Sequence, residues 1–331
     1  MEREPRISVV MSVYNAAKYL REAVESILNQ TFSDFEFIII EDKSTDDSLN
    51  ILLSYNDPRI VLILNNENVG LTKNLNIGIK KARGEFIARM DADDISLSNR
   101  FEEQIQFIKD NRCNICFSQV VYFKSKSDFS ISDFQINSEL IESELLFRNP
   151  LAHSTVMWDR LFFEKNNLNY NDFYRYSQDY ELWTRVSLIC KIFVINKPLV
   201  IYRIHRGQIG DKSSLSQIKY FNIAQEKSLT TLFNDYRINI CIDEIFKQKM
   251  TKQNLTNLQF NLNYLSNVKH PKIEKLINII YPRLIFKRGF EFYNLKLYFV
   301  ISNFYRSRNF DIGCRKKSIF LLKCIVNWKK K

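Results

Sequence analysis

Asp91, Asp93 and Asp94 occupy three of four successive positions in the stretch ARMDADDISLSNR, residues 88–100. Carboxylates that close repel one another, so the crowding costs stability unless something positive is held there. Three chemistries are open. One is a solvated acidic turn, although three aspartates directly after an apolar run exceed what a turn needs. Another is a calcium loop, which wants oxygen ligands at positions one, three and five and Gly at six. Counted from Asp91, those last two positions hold Ile95 and Ser96, and only Glu102 at position twelve fits. The third is a divalent cation, Mg²⁺ or Mn²⁺, held by one or two carboxylates while substrate phosphates complete its shell. The third accounts best for carboxylates clustered at an open rim.

The surrounding elements must put that rim in place. Residues 7–13 (ISVVMSV), 35–41 (FEFIIIE), 59–64 (RIVLIL) and 86–90 (FIARM) are short, apolar and rich in β-branched residues, as buried strands are. Tyr19, Leu20, Ala23, Val24, Ile27 and Leu28 recur at helical spacing, SLNILLSY forms a short helix, and Gly70 to Ala82 forms a third, stopped by Gly84. Strands alternating with helices predict an α/β fold: a mostly parallel sheet with helices on both faces. Further on, Leu97, Phe101, Ile105 and Ile108 mark a helix, 115–123 a strand, 124–138 an irregular exposed insertion, and 150–158 an extended segment. A helix is expected around 178–190 and a strand pair ending in YRIH at 202–205. Beyond about 214 the pattern is helical.

In open sheets of this kind ligands bind beyond the carboxyl ends of the strands. Tyr14 and Asn15 end the first strand, Glu41 and Asp42 the second, Asn65, Asn66 and Asn68 follow the third, and the aspartates end the fourth. The seven glycines form neither G-x-G-x-x-G nor G-x-x-x-x-G-K-[ST], which disfavours dinucleotide and P-loop sites. Phosphate must then be met by metal and side chains.

SVVMSVYNAAKYLREAVESILNQTF, FIIIEDKSTDDS and NENVGLTKNLNIGIKKARGEFIARMDADD, followed by NPLAHSTVMW, QDYELWTR and YRIHRGQIG, resemble glycosyltransferase family 2 with its GT-A fold. The resemblance spans about residues 8 to 210. It implies a UDP-sugar donor, Mn²⁺ or Mg²⁺ as cofactor, and transfer of a hexosyl or N-acetylhexosaminyl group; one base opposite one metal-bound leaving group describes a single in-line displacement, so inversion is expected. It places Asp42 at the uracil, Asp91 near the ribose, Asp93 on the metal and Lys73 near the diphosphate. Tyr14 falls on the nucleotide side. Asp179 matches the usual general base, and His205 sits where some members place a histidine near metal or diphosphate. Two positions depart from the pattern. Lys43 replaces a glycine, and Gln178 replaces a glutamate, which should lower the pKa of Asp179 somewhat.

Plainer roles stand beside these. Asp42 could cap the next helix, Asp179 could be a first-turn acid favoured by the helix dipole, Lys73 a solvated charge and His205 a polar strand end. Trp183 fits core better than sugar platform, and His153 could line the acceptor side. A catalytically silent sugar-nucleotide-binding or scaffold subunit is the rival to an enzyme, and a nucleotidyltransferase on a similar sheet is a further alternative, disfavoured by the absence of a Gly-rich first loop.

The chain of 331 residues suits one large domain plus an appendage: a catalytic domain over 1–212, with nucleotide-sugar binding in 1–110 and the acceptor side in 111–212, then a helical basic region over 213–331. Residues 251–331 hold 17 Lys and Arg against 3 Asp and Glu, while the whole chain is +11, so residues 1–250 net −3. Stripes at Ile273–Ile285 and Phe290–Phe304, flanked by Lys and Arg, suit a helix lying on an anionic membrane, with packing on the core as the alternative. No nucleic-acid-reading motif is present, so nucleic acid is not an expected partner. Family members of this layout often extend lipid-linked saccharides, which predicts a lipid-linked saccharide acceptor for surface-polysaccharide synthesis. The six cysteines are scattered and fit reduced core thiols better than half a zinc site at Cys113 and Cys116. Without a signal-peptide pattern or an apolar span, the expected location is cytoplasmic, peripheral on the inner membrane face.

Overall fold

The structure is a computed structural model that describes residues 4–125, 128–131, 138, 141–145, 148–205, 208 and 214–235. The two apolar stripes with basic flanks lie outside those residues. Three strand–helix steps and a fourth strand open the chain: β1 (Ile7–Val13), α1 (Ala17–Leu28), β2 (Phe35–Glu41), α2 (Ser48–Leu53), β3 (Ile60–Leu64), α3 (Leu71–Lys81) and β4 (Phe86–Asp91). Then come β5 (Ile95–Ser96), α4 (Arg100–Asn111), β6 (Ile115–Ser125), β7 (Asp128–Ile131), α5 (Ile141–Glu144), a 3₁₀ turn at His153–Thr155, β8 (Met157–Asp159), α6 (Arg160–Lys165), α7 (Gln178–Ile189), β9 (Phe193–Arg203) and α8 (Ser214–Asp235).

The nine strands form one sheet in the order β3-β2-β1-β4-β8-β6-β9-β5, with β7 paired to β6. β1, β2, β3 and β4 pair in parallel, and so do β6 and β9. β8 runs antiparallel to both β4 and β6. The chain builds outward from β1 to β3 and then returns to place β4 on the other side of β1. That reversal opens a crevice at the carboxyl ends of β1 and β4.

Strand periodicity decides which face each side chain meets. Ile7, Val9, Met11 and Val13 of β1 pack with Phe37 and Ile39 of β2, Ala88 and Met90 of β4, and α1 and α4. Val10, Ile38, Ile40 and Ile87 face the other way, toward Leu75 of α3 and Trp183 and Val186 of α7. Arg89 and Asp91 share parity with Ile87. They therefore lie on the α7 face, and this register brings charged groups near that helix. Trp183 is core: it meets Phe117 edge-on at 5.0 Å and packs near Trp158 and Tyr170. Cys113 and Cys116 are buried thiols in the opposite core layer.

Several elements differ from expectation. Part of the 124–138 segment is a strand, Asp128–Ile131, folded back on β6 as a hairpin. The region 150–158 contains a 3₁₀ turn rather than being extended throughout. The strand pair ending in YRIH is a single strand of 11 residues whose register shifts twice against β6. Gly84 does not stop α3, which already ends at Lys81 with Ala82 extended. It serves a close approach instead, since a Cβ there would lie 2.5 Å from the Ser8 backbone nitrogen. The aromatic side of α8 packs on α7, with Phe221 stacked on Tyr180 at 4.1 Å.

Candidate active site

The loops after β1 and β2 are laced together. Asn15, in the left-handed region at φ 51°, accepts from the Thr45 backbone N–H at 2.8 Å. The first N–H groups of α1 have no partners within the helix. Ser48 accepts from Ala16 N at 2.9 Å and Asp46 from Ala17 N at 2.9 Å, so the second loop caps the first helix. The Glu41 carboxylate turns back to accept from Lys43 N and Ser44 N. Lys43 sits at φ 59°, a conformation glycine adopts freely, so the loop takes that bend despite its lysine.

Asp42 is buried and fully engaged. Its Oδ1 accepts from Asn65 Nδ2 at 2.8 Å and Val69 N at 2.9 Å, and its Oδ2 from Gly70 N at 2.9 Å. It thus anchors the turn into α3, not the next helix. Asn65 also donates to Asn74 Oδ1 at 2.7 Å, and Asn74 Nδ2 donates to the Ser12 hydroxyl at 3.0 Å, so the polar chain runs back to β1. Asp42→Ala leaves buried donors unpaired and is expected to destabilise by about 2–3 kcal/mol, measured by chemical denaturation.

One oxygen each of Asp91, Asp93 and Asp94 lies within 4.8 Å of the others. Each aspartate has a cationic or polar neighbour. Arg89, 2% exposed, grips Asp91 with both terminal nitrogens. His205 Nε2 lies 3.0 Å from Asp93 Oδ2. Asp94, 1% exposed, accepts from Arg203 N at 2.9 Å through Oδ1, while its Oδ2 has no hydrogen-bond partner. The Ser154 hydroxyl is near enough to ease the charge on Asp94, yet the geometry completes no hydrogen bond. Burial, then the neighbouring carboxylates, push Asp94 well above the usual carboxylate range. Burial and Asp91 raise Asp93 as well, against the opposing pull of His205 and Arg89. Hard oxygen donors, one imidazole and an orphaned buried carboxylate oxygen suit Mn²⁺ or Mg²⁺. A dication there would keep all three acids ionised.

Asp179 stands in the first turn of α7 and accepts from Asn149 Nδ2 at 2.8 Å. Burial raises its pKa, while backbone N–H groups and Arg89 lower it and Asp91 raises it further. The expected lowering from Gln178 is outweighed by burial. The Arg89 charge therefore acts on Asp179 as well as on Asp91 and Asp93. It also helps burial hold His153 well below the usual imidazole range, so that ring is neutral. His153 Nε2 lies 2.6 Å from the Tyr170 hydroxyl. Tyr170 in turn is fixed through its backbone to Asn76 of α3.

The glycosyl transferase family 2 model matches residues 8–200, more than half of the chain. The chain belongs to glycosyl transferase family 2. This glycosyltransferase is 30% identical over 258 residues, 72% of its length and 78% of the relative's, to an uncharacterized glycosyltransferase of Haemophilus influenzae. It is 32% identical over 220 residues, 66% of its length and 84% of the relative's, to the Escherichia coli UDP-Glc:alpha-D-GlcNAc-diphosphoundecaprenol beta-1,3-glucosyltransferase WfaP. Its fold resembles that of S. aureus TarS 1-349 in complex with UDP-GlcNAc, with a TM-score of 0.55 at 17% identity, covering 86% of this chain and 92% of that one.

The glycosyltransferase's expected site residues do not all fall together. Asp91, Asp93 and His205 meet at the rim. Asp179 faces the same charges from α7. Asp42 lies in the neighbouring loop, while Tyr14 and Lys73 are exposed at the end of β1 and the start of α3. Among the described residues no hydrogen bond or ion pair joins Tyr14 or Lys73 to the acid cluster. Arg89, Arg203, Asn149 and Asp94's buried pairing went unnoticed in the sequence. The signal for Arg89 was there: a lone arginine within an apolar strand, two residues from an aspartate, must share its face and pair with it.

Proposed function

We propose that this glycosyltransferase moves a hexosyl or N-acetylhexosaminyl group from a UDP-sugar to a lipid-linked saccharide, with inversion, in the synthesis of a surface polysaccharide. The observation that carries this is the meeting of Asp91, Asp93, Asp94 and His205 at one rim, with buried Asp179 facing it from α7. The exposed Tyr14 ring and the Asp42 loop take the uridine, Asp91 the ribose, and Lys73 approaches the diphosphate. Asp93 and His205 hold Mn²⁺ or Mg²⁺, which when bound neutralises charge developing on the leaving diphosphate. The bond from the anomeric carbon to the donor phosphate oxygen breaks as the acceptor hydroxyl oxygen attacks from the opposite face. The hydroxyl proton passes to Asp179, and UDP leaves. A raised pKa suits that task, because it makes the carboxylate a stronger base.

Support for the donor and acceptor comes from what the related proteins handle: UDP-Glc and a GlcNAc-diphosphoundecaprenol in WfaP, and UDP-GlcNAc in TarS. The basic segment 251–331 supports docking on an anionic membrane surface, and no helix among the described residues is long and apolar enough to cross one. The test is a panel of UDP-α-sugars with a GlcNAc-diphospho-lipid acceptor and Mn²⁺, read by product NMR. One donor giving a β-linked product, with no turnover in EDTA, is expected. A retained α-linkage overturns the inverting mechanism. No transfer or UDP release with any donor overturns the donor class.

A further inference from the structure

We propose that Arg203 is the positioning residue that fixes the 91–94 loop for a cation–diphosphate pair and ties it to the uridine loop through α1. This rests on the proposed donor site. Arg203 ends β9 and is 7% exposed. Its backbone N–H donates to Asp94 Oδ1 at 2.9 Å, and its Nε donates to the Asp93 carbonyl at 2.8 Å. One terminal nitrogen donates to Glu22 of α1 at 2.9 Å. The guanidinium lies 4.8 Å from the centre of the Tyr19 ring, also on α1, and the other side of the network continues from Tyr19 to His205, whose rings are 4.6 Å apart. His205 then reaches Asp93 Oδ2.

The guanidinium thus holds the Asp93 backbone while the chain at the same position holds Asp94, and the histidine beside Asp93 is packed on the same tyrosine. The pairing of Ile95 with Ile201 and Ser96 with Val200 leads β5 and β9 into this junction in fixed register. α1 meets the junction with Tyr19 and Glu22, while its first N–H groups are capped by Asp46 of the uridine-side loop and by Ser48, which starts α2. One helix therefore touches both halves of the donor site. A planar fork with several fixed donors suits this task in a way that a lysine's single nitrogen does not. Groups that orient metal ligands from behind typically change metal affinity when removed.

The test uses full-length protein and Mn²⁺ alone as the cation probe, followed by electron paramagnetic resonance with UDP present. UDP binding in EDTA and thermal melting are measured beside it. Arg203→Gln is expected to weaken Mn²⁺ binding about 10–100-fold, with Arg203→Lys intermediate and UDP affinity in EDTA within about twofold of wild type. Equal Mn²⁺ affinity in either folded variant overturns the inference, and so does a matching loss of metal-free UDP binding, which would mark general loosening. If Arg203→Gln fails to fold, Arg203→Lys decides alone. Wild-type protein that binds no Mn²⁺ overturns the donor-site proposal, and this inference with it.

Discussion

Asp179→Asn should lower kcat by about 10²–10⁴ while leaving the protein at least as stable as wild type. Both halves follow from one environment. The carboxylate is buried at the start of α7, and Asn149 Nδ2, nearby backbone N–H groups and the Arg89 charge offset the loss of water only in part. Its folded pKa is therefore raised. A carboxyl that ionises less readily in the fold than in the unfolded chain costs stability as pH climbs through the window between its unfolded and folded values. Asparagine keeps an oxygen to accept from Asn149 and removes that cost. It cannot take a proton from an acceptor hydroxyl. In wild type the acid limb of the kcat profile should lie above the ordinary carboxylate range, and the variant should lose that limb. Equal activity in the folded variant would remove Asp179 from the mechanism and leave it as a helix-start acid.

Asp93→Asn should reduce transfer by on the order of 10²–10³-fold, as loss of a group that stabilises developing charge does. The substitution also removes the charge on the carboxylate facing His205 Nε2, but it retains the shape of the loop and the backbone carbonyl that Arg203 holds. Crowding among Asp91, Asp93 and Asp94 is relieved, so thermal stability should be unchanged or higher. The loss should not be rescued by more donor. Activity within a few-fold of wild type would show that the acid cluster serves the loop rather than the reaction.

Much of this site was legible before the fold was known, because strands and helices in the first hundred residues follow their periodicities closely. β1 to β4 carry apolar runs whose ends fall together once the sheet is parallel, so polar residues at those ends had to share a rim. What stayed hidden was three-dimensional. Asp42 is spent on Asn65, Val69 and Gly70, partners 23 to 28 residues away that no local cap pattern includes. The rise in Asp179's pKa depends on burial, which the helix-start pattern does not encode. β7 looked like an irregular insertion because its neighbours are polar, and its strand is defined only by pairing to β6. Arg203 read as part of a strand end, yet its contacts reach residues 109 to 181 positions away.

The central claim is that the aspartate rim holds a cation together with a uridine diphosphate. Calorimetric titration of UDP into full-length protein, with Mn²⁺ and then with EDTA, tests it most directly. The account predicts binding that tightens by at least about tenfold with Mn²⁺ in wild type, and that loses this gain in Asp93→Asn, as removal of a metal-binding carboxylate should. UDP affinity that is the same with Mn²⁺ and with EDTA would contradict it.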